Sequence, residues 1–157
     1  EDGRTTVFDY WGVPAHQQWM NDGKFDGDKL DESQKKLRKF YSILFHIASG
    51  NEAIMSGDYH DLTLFNLGKK NCSDKIHVFI RSLHAEVLIV VSSFNTEMER
   101  IRVQLPDTLL EKMDFSLKSI VIARDLLESG TEVLFNGENS FELDIPAFNS
   151  YIFKIKI

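Results

Sequence analysis

The sequence predicts a mainly β protein: an antiparallel Greek-key β-sandwich of about eight strands, preceded by one amphipathic helix and an irregular N-terminal loop. Short apolar or alternating segments recur along the second two thirds of the chain, separated by turn residues. No helical pattern between them is long enough to connect parallel strands, which favours an antiparallel arrangement. A single stretch of three- and four-residue apolar spacing predicts the helix.

The strands are predicted within residues 51–157. Alternation of apolar and polar residues predicts strands with one buried face at 76–80, 101–105 and 141–145. The uninterrupted apolar run 87–91 predicts a central strand, because such a strand is buried on both faces. Further strands are predicted at 62–65, 117–123, 133–135 and 151–157, with turns at 95–97, 128–130 and 136–139. The Asn136-Gly137 pair is typical of a tight turn and predicts a hairpin.

Residues 32–50 are predicted to form the amphipathic helix. Its apolar residues at helical spacing are Leu37, Phe40, Tyr41, Leu44, Ile47 and Ala48. Asp31 or Ser33 can cap the start of the helix, and Gly50 can end it. Ile43 and Phe45 lie off the main stripe, so the apolar surface is wider than one packing partner requires. We therefore expect part of this helix to contact a second body.

Residues 1–31 form the third part of the predicted organisation, an irregular segment before the helix 32–50 and the sandwich 51–157. This segment holds four of the nine glycines and both tryptophans, without sustained periodicity. Loops of this length are uncommon in compact domains unless they serve a site or cover another element. The chain also lacks an initiator Met, which indicates a processed protein or part of a longer one.

The composition is that of an ordinary globular protein: 157 residues, 43% hydrophobic and 27% charged. The net charge of −6 and the even spread of acidic residues argue against a nucleic-acid partner. The basic cluster at 35–39 fits the solvated face of the helix. No apolar run approaches the ~20 residues that span a bilayer, and the N-terminus has no apolar signal core. We expect no membrane contact.

The sequence lacks the usual patterns of a catalytic or metal-binding site. The sequence has no Gly-x-Ser-x-Gly nucleophile motif, and its single cysteine, Cys72, lies in a polar loop without a marked histidine partner. The five histidines make no His-x-x-x-His pair and are interpreted as surface or structural residues: His16, His46, His60, His77 and His84. No pair of carboxylates is marked out for glycoside hydrolysis. The sequence thus predicts no catalytic residue, no metal and no cofactor.

The loop 22–28 is rich in Asp and Gly and partly resembles a calcium loop. Asp22, Asp26 and Gly27 match the first, fifth and sixth positions of an EF-hand. Lys24 and Ser33, however, occupy the third and twelfth positions, where carboxylates are required. A turn that leads into a helix cap is the simpler interpretation.

The aromatic residues of the N-terminal segment are the one group in the sequence that suggests a ligand, namely a sugar. Phe8, Tyr10, Trp11 and Trp19 carry flat rings of the kind that stack on sugars. Of these, Tyr10, Trp11 and Trp19 are predicted sugar-contact residues. The alternative is that the rings pack against a neighbouring domain or against the sandwich.

The order of several short motifs resembles the end of a glycoside hydrolase family 13 (α-amylase family) protein. Residues 3–11, followed by Pro14, resemble the loop before the last helix of the catalytic barrel, and 37–44 resemble that helix. Residues 52–59 resemble the start of the β-sandwich called domain C. Three later segments resemble its strands: Val90-Val91 with Phe94, Asp125-Leu126-Leu127 with Gly130, and Pro146-Ala147-Phe148 with Tyr151-Ile152-Phe153.

The sequence departs from the family pattern at a few positions. Glu52 replaces an expected proline, Ser93 stands where Asn is usual, and Glu128 lengthens a turn. Tyr59-His60-Asp61 is similar to the family's Asn-His-Asp motif, but it lies at the start of the sandwich. These departures leave the resemblance in fold intact and weaken any assignment of specificity.

The resemblance implies a fragment without catalytic residues, since the family's carboxylates lie on barrel strands that would precede residue 1. The full-length parent is then expected to be a retaining hydrolase or transglycosylase acting on α-glucans. The main partner is expected to be the catalytic barrel of that parent, which domain C would support. Two alternatives stay open: a carbohydrate-binding module that contacts α-glucans through its loop aromatics, and a domain that forms homo-oligomers through the exposed helix face.

Overall fold

The computed structural model describes residues 12–69, 71–113 and 120–155. The chain divides into two compact units, Glu1–Leu44 and Phe45–Ile157, and each is described by itself. Three predicted features fall wholly or partly outside the described residues. They are the aromatic residues before position 12, the start of the strand predicted at 117–123, and the last two residues of the strand predicted at 151–157.

The first unit contains a short helix that the sequence did not predict. Helix α1, Pro14–Met20, begins with Pro14, whose fixed φ suits the first turn, and a 3₁₀ turn follows at Asn21–Gly23. Seven residues span only about two helical turns, which is too short to show a periodic apolar pattern. Within residues 12–31, the chain is therefore irregular except for this helix and the turn after it.

Helix α2, Glu32–Gly50, is the predicted amphipathic helix. Its first turn is closed by a reciprocal capping box. The Gln34 N–H donates to Asp31 Oδ1 at 2.8 Å, and the Asp31 N–H donates to Gln34 Oε1 at 2.9 Å. Asp31, one of the two predicted caps, makes these bonds, and they fix where the helix begins.

The second unit is an eight-stranded β-sandwich with three short helices, counted over the described residues. The helices are α3 (Glu52–Ser56), α4 (Thr63–Asn66) and α5 (Asp107–Lys112). The strands are β1 (Asp58–Asp61), β2 (Ile76–Leu83), β3 (Glu86–Ser93), β4 (Glu99–Gln104), β5 (Ile120–Asp125), β6 (Glu132–Asn136), β7 (Ser140–Ile145) and β8 (Ser150–Ile155).

The strands form two antiparallel sheets. Sheet A has the order β1-β2-β3-β8-β5-β6, and sheet B consists of β4 and β7. The chain crosses from sheet A to sheet B after β3, returns after β4, crosses again after β6 and returns after β7, and β8 lies between β3 and β5. The predicted antiparallel Greek-key sandwich is confirmed.

The predicted central strand is also confirmed. Strand β3 pairs with β2 on one side and with β8 on the other, so that Val91 lies opposite both Val78 and Tyr151. Leu88 and Ile89 point to opposite faces of the sheet, and both are fully buried. Burial on both faces explains why this strand appears in the sequence as a continuous apolar run.

The core lies between the two sheets and is joined by three phenylalanines. Phe135 of β6, Phe141 of β7 and Phe153 of β8 are almost completely buried. Phe141 meets Phe135 edge to face at a centroid distance of 5.1 Å and Phe153 at 5.8 Å. Since Phe141 belongs to sheet B and the other two belong to sheet A, this cluster holds the sheets together.

The strand predicted at 62–65 is wrong, because this segment contains helix α4. Asp61 Oδ1 accepts a hydrogen bond from the Thr63 N–H at 2.8 Å, and this side-chain contact turns the backbone out of the extended conformation. Leu62 is buried in the core, whereas Leu64 is exposed. Apolar alternation over four residues did not distinguish a strand from one helical turn.

The hairpin predicted at Asn136-Gly137 is wrong as well. A turn is present, and Gly137 has the positive φ of +69° that such turns require. The strands on either side belong to different sheets, however: β6 pairs with β5, and β7 pairs with β4. The dipeptide therefore indicated a local turn correctly, while core packing decided which strands pair.

Substituting Gly57 by Ala is expected to destabilise the protein. A Cβ atom at this position would lie 2.5 Å from the carbonyl oxygens of both Ala53 and Ser82, closer than van der Waals contact allows. We expect Gly57→Ala to lower the free energy of unfolding by about 1–3 kcal/mol, measured by urea denaturation. Gly50→Ala is the matched control, since a Cβ there meets open space in a helix and should be neutral or stabilising. Equal losses in both variants would contradict the steric explanation.

Candidate functional site

The outer face of sheet A carries apolar side chains where a sheet exposed to water normally carries polar ones. Phe79 lies opposite Val90, and Val90 lies opposite Ile152, all on the side away from the core. The Tyr59 ring is 5.3 Å from that of Phe79. Tyr59, Ile122 and Leu134 have exposed fractions of 50%, 45% and 44%. The apolar face, as we call this surface, consists of Tyr59, Phe79, Val90, Ile122, Leu134 and Ile152.

The outer face of sheet B has the opposite character. The Arg100 guanidinium forms ion pairs with Glu142 at 2.8 Å and with Asp144 at 3.9 Å, all from outward positions of β4 and β7. Arg102 pairs with Glu138 at the end of the same surface. The outer face of sheet A is more mixed, since the exposed ion pair Arg124–Glu132 lies on it beside Ile122 and Leu134. The sandwich thus has one charged outer face, which suits water, and one outer face with apolar patches, which suit contact with another protein surface.

Further exposed apolar residues lie where helix α2 leads into the sandwich. Phe45 and Met55 are largely exposed and border a shallow pocket of about 440 Å³, together with Ala48 and side chains of the last helical turn. Helix α3, which carries Met55, packs against β2 and β3 and covers Leu88. It covers only part of the outer surface of sheet A and adds an exposed apolar side chain of its own.

A cluster of polar side chains fixes the junction between α2 and α3. Lys154 Nζ of β8 donates to Asn51 Oδ1 at 2.7 Å and forms an ion pair with Glu86 of β3. The other oxygen of Glu86 accepts a hydrogen bond from the Ala53 N–H at 2.8 Å, and Asn51 Nδ2 donates to the Ile47 carbonyl at 2.6 Å. These contacts satisfy a backbone carbonyl at the end of α2 and a backbone amide at the start of α3.

Arg81 completes this cluster from β2. Its Nε donates to the Ala53 carbonyl at 3.0 Å, and its Nη2 donates to the Ile54 carbonyl at 2.8 Å. We call Asn51, Arg81, Glu86 and Lys154 the junction clamp. Strands β2 and β3 thereby hold carbonyl and amide groups of α3, and Lys154 of β8 holds Glu86 and Asn51 in place.

The electrostatics of the junction clamp favour the charged form of Glu86. Burial raises the pKa of this carboxyl, but the hydrogen bond from the Ala53 N–H and the Lys154 ammonium lower it by more. The net pKa lies below its ordinary value of 4.5. Glu86 is therefore ionised near neutral pH, and the ion pair with Lys154 is formed there.

Only one of the three predicted sugar-contact residues is described. Trp19 of α1 meets Phe25 edge to face at a centroid distance of 5.6 Å and is partly buried. Its carbonyl accepts a hydrogen bond from the Gly27 N–H at 3.0 Å, which folds the following loop back onto the helix. Tyr10 and Trp11 lie outside the described residues, so sugar contact at these rings stays a prediction.

In the acidic loop 22–28, the carboxylates of Asp22 and Asp26 have protein partners. Asp22 forms an ion pair with Lys29, which lowers the pKa of Asp22. Asp26 accepts hydrogen bonds from the Asp28 N–H at 3.1 Å and from Asn21 Nδ2 at 2.8 Å, and these lower the pKa of Asp26. Across the described ranges, no three His, Cys, Asp or Glu side chains are grouped so that they could hold a metal ion.

Two histidines of the sandwich, His60 and His77, make side-chain contacts between neighbouring elements. His77 Nδ1 lies 2.7 Å from Thr63 Oγ1 and connects β2 to α4. His60 Nε2 lies 3.3 Å from Ser82 Oγ across β1 and β2. Burial and the nearby Lys112 lower the pKa of His60. These geometries fit the structural roles that the sequence indicated.

Cys72 is buried in the core although its loop is polar in sequence. Its Sγ lies 3.4 Å from the Arg102 carbonyl, and burial raises the pKa of the thiol. A protonated, buried thiol is a poor nucleophile and metal ligand. Within the described residues, no helix has the length and apolar character needed to cross a membrane.

Comparisons with known proteins were informative only at the level of structure. No family model matches the chain, and no curated protein matches it. Among solved structures, an Anoxybacillus α-amylase superposes with a TM-score of 0.56 at 15% sequence identity, covering 77% of this chain and 22% of that one. An α-amylase from Geobacillus thermoleovorans, solved with acarbose, gives 0.50 at 14% identity, covering 71% and 21%. A variant of AmyP in complex with maltotriose gives 0.60 at 13% identity, covering 83% and 22%.

The chain shares the fold of one part of these α-amylases. The resemblance found in the sequence motifs is thereby confirmed at the level of fold. The chain spans about a fifth of the length of the solved α-amylases that it matches.

Sequence reasoning missed both the junction clamp and the apolar face of this α-amylase-like sandwich. Glu86 and Lys154 occupy outward strand positions, where charged residues are ordinary, so nothing in the sequence marked them as partners. A weak signal for the apolar face was present. Val90 and Ile152 fill strand positions where alternation would place polar residues.

Substituting Glu86 by Gln is expected to destabilise the protein in a pH-dependent way. Because the folded-state pKa of Glu86 is depressed, its charge contributes stability above pH ~4.5, and this contribution is lost as pH falls through the lower folded-state value. We expect Glu86→Gln to lower the free energy of unfolding by about 1–2 kcal/mol at pH 7, with the difference shrinking below pH ~4. Urea denaturation across this range measures it. Glu142→Gln, in an exposed ion pair, should cost well under ~1 kcal/mol; a pH-independent loss in Glu86→Gln would contradict the assignment.

Proposed function

We propose that this chain is the non-catalytic C-terminal β-sandwich, domain C, of an α-amylase-type glycoside hydrolase, and that it supports the catalytic barrel of its parent. The observation that carries the proposal is the apolar face of sheet A. An antiparallel sheet with apolar side chains on both sides gains stability when both sides are covered. The inner side of sheet A packs on the core, and the proposed barrel covers its outer side.

Two independent observations support this assignment. The order of sequence motifs resembles the end of the α-amylase family, from the last barrel helix through the strands of domain C. The fold of the described residues is similar to part of two solved α-amylases, and the chain spans only about a fifth of their length. A domain of this size in such a protein leaves most of the parent, including its barrel, elsewhere.

The junction clamp gives the proposed support a physical basis. A domain that braces a neighbour must hold its own connecting segment rigidly, because a flexible junction would transmit little restraint. Glu86, Arg81 and Lys154 bind the backbone and Asn51 at the start of the sandwich, where α2 leads into α3. The connection is thus held by three neighbouring strands.

The chemistry is assigned to the parent. The parent would be a retaining hydrolase or transglycosylase acting on α-glucans, with two carboxylates held across a cleft of its barrel. This chain would contribute packing and orientation to that barrel. We assign no catalytic role to any residue of the chain.

A second candidate function, self-association, is favoured by the exposed side of α2. Leu37, Phe40 and Tyr41 are exposed along one stripe of this helix. Isolated from a larger protein, such a stripe is a ready contact for a second copy. The apolar face of sheet A offers a competing surface for the same association.

The proposal predicts that the purified chain does not cleave α-glucans. Incubation with soluble starch or maltooligosaccharides should release no reducing ends above a protein-free blank, because the catalytic carboxylates are assigned to the barrel. Reading the coding sequence upstream of Glu1 is the companion measurement, and it should encode a (β/α)₈ barrel. Turnover by the purified chain, or an upstream sequence without a barrel, would overturn the proposal.

Self-association of the isolated chain should depend on the exposed stripe of α2. We expect Leu37→Lys together with Phe40→Lys to lower the dimer fraction at least about tenfold, because charges at a buried contact are strongly unfavourable. Sedimentation velocity over a range of concentrations measures this. Thr108→Lys, at an exposed site of α5, is the control for added charge. A loss of dimer in Ile122→Lys with Leu134→Lys, and not in the helix variant, would favour the apolar face as the contact instead.

A further inference from the structure

A polar cleft opens on the outer side of sheet B, away from the apolar face. Its volume is about 500 Å³, within the range of ligand-binding pockets. Side chains from four places in the chain meet around it: the turn after α4, strand β4, the start of α5, and the β6–β7 connection. The residues that matter for its chemistry are Lys69, Arg102, Gln104, Glu138, Asn139 and Ser140.

One wall of the cleft is tied to strand β4 by Asn66. This side chain is 1% exposed, and its Nδ2 donates to the carbonyls of Gln104 at 3.1 Å and Leu62 at 3.0 Å. Its Oδ1 accepts a hydrogen bond from the Gln104 N–H at 2.8 Å. The Asn66 carboxamide therefore pairs with the edge of β4 as a neighbouring strand would.

The turn that follows Asn66 is held to the same edge at two more points. Asn71 Nδ2 donates to the Arg100 carbonyl at 3.2 Å, and Cys72 Sγ lies 3.4 Å from the Arg102 carbonyl. The Cys72 N–H donates to the Lys69 carbonyl at 2.9 Å, which closes the turn. Lys69 is thus presented at the rim of the cleft by a turn with fixed attachments.

The opposite side of the cleft is ordered by Arg102. This side chain is mostly buried; its Nε donates to Ser140 Oγ at 3.0 Å, and its Nη2 forms an ion pair with Glu138. Ser140 Oγ in turn donates to Glu138 at 3.3 Å. The side chains are therefore oriented before any ligand arrives, which lowers the entropy cost of binding.

Asn139 is fixed from two directions. Its carbonyl accepts a hydrogen bond from the Leu105 N–H at 2.7 Å, and its Nδ2 donates to Asp107. The charges around the cleft balance, since Lys69 and Arg102 face Asp107 and Glu138. A balanced lining selects neither a polyanion nor a polycation.

Two groups of the cleft have hydrogen-bonding capacity that the protein does not use. The Lys69 ammonium lies 3.3 Å above the centroid of the Phe65 ring and forms no ion pair within the described part of the chain. The exposed Gln104 carboxamide likewise has no side-chain hydrogen bond there. Together they offer several donors and one acceptor beside the ordered Glu138 carboxylate.

We propose that this cleft binds a neutral carbohydrate. A sugar hydroxyl donates and accepts hydrogen bonds at once, which matches ammonium, carboxamide and carboxylate groups set side by side. The balanced charge disfavours a phosphorylated ligand, and the charged and amide groups around the cleft disfavour a lipid. The inference goes beyond the proposed support role, because the cleft lies on the sheet opposite the apolar face and stays accessible when that face is covered.

Titration of the ¹⁵N-labelled 157-residue chain with maltotriose, followed by NMR, tests this proposal. We expect saturable shifts at the amides of Lys69, Gln104, Asn139 and Ser140, with a dissociation constant in the millimolar range. Gln104→Ala and Lys69→Met should each weaken binding about five- to tenfold, as expected for loss of a net hydrogen bond. The spectra of the variants also report whether each is folded.

Two controls match these variants. Arg100→Ala alters the same strand outside the cleft, and Lys75→Met removes an exposed lysine elsewhere; both should bind as the parent chain does. Unchanged affinity in Gln104→Ala and Lys69→Met, shifts centred on Trp19, or no saturable shift with maltotriose would each overturn the proposal. Saturable shifts at Lys69 with inorganic phosphate, and none with maltotriose, would identify an anion site and overturn it too. The starch assay and the upstream sequence test the support role separately, so the two can fail independently.

Discussion

The contact that joins the start of the sandwich to its last strand is that of Lys154 with Asn51 and Glu86. Lys154 lies on the last strand and Asn51 at the first junction, 103 residues apart in the chain. Strand β8 itself pairs with β3 and β5, so this ammonium connects the start of the sandwich to the middle of sheet A. Bringing such distant segments together costs conformational entropy, which the pairing of β8 between two strands offsets.

The polar groups of the two outer faces serve different purposes. On sheet A, Lys154 and Glu86 are 31% and 22% exposed and bind other protein groups. On sheet B, Arg100 is 69% exposed and pairs with carboxylates in water. The charged side chains of the junction clamp are therefore directed to helix α3 and its neighbours, and the remaining outer face of sheet A carries apolar side chains together with the exposed ion pair Arg124–Glu132. These apolar side chains make the outer face of sheet A the better suited of the two to docking.

The architecture was more predictable from the sequence than its surfaces were. The run 87–91 identified the central strand because a strand that is buried on both faces is apolar throughout, and Asp31 marked the start of α2 through a local cap.

Where the outcome depended on distant partners, local patterns failed. The Asn136-Gly137 turn led between sheets because Phe135 and Phe141 pack on the same core, and segment 62–65 turned into a helix because Asp61 holds the Thr63 amide. The residues of the junction clamp could not be predicted either, because their partners are distant in the sequence.

The apolar face of sheet A and the cleft on sheet B lie on different outer sides of the sandwich. Covering the apolar face of sheet A would leave β4 and β7 directed to solvent, and with them the polar cleft. The cleft wall is built on alternating residues of β4, so the same contacts that satisfy the edge of this two-stranded sheet also position Lys69. An unprotected edge would be open to pairing with another chain. The turn after α4 closes it with side chains and, in doing so, forms a recess with fixed hydrogen-bonding groups. Edge protection and the proposed carbohydrate contact therefore have one structural origin.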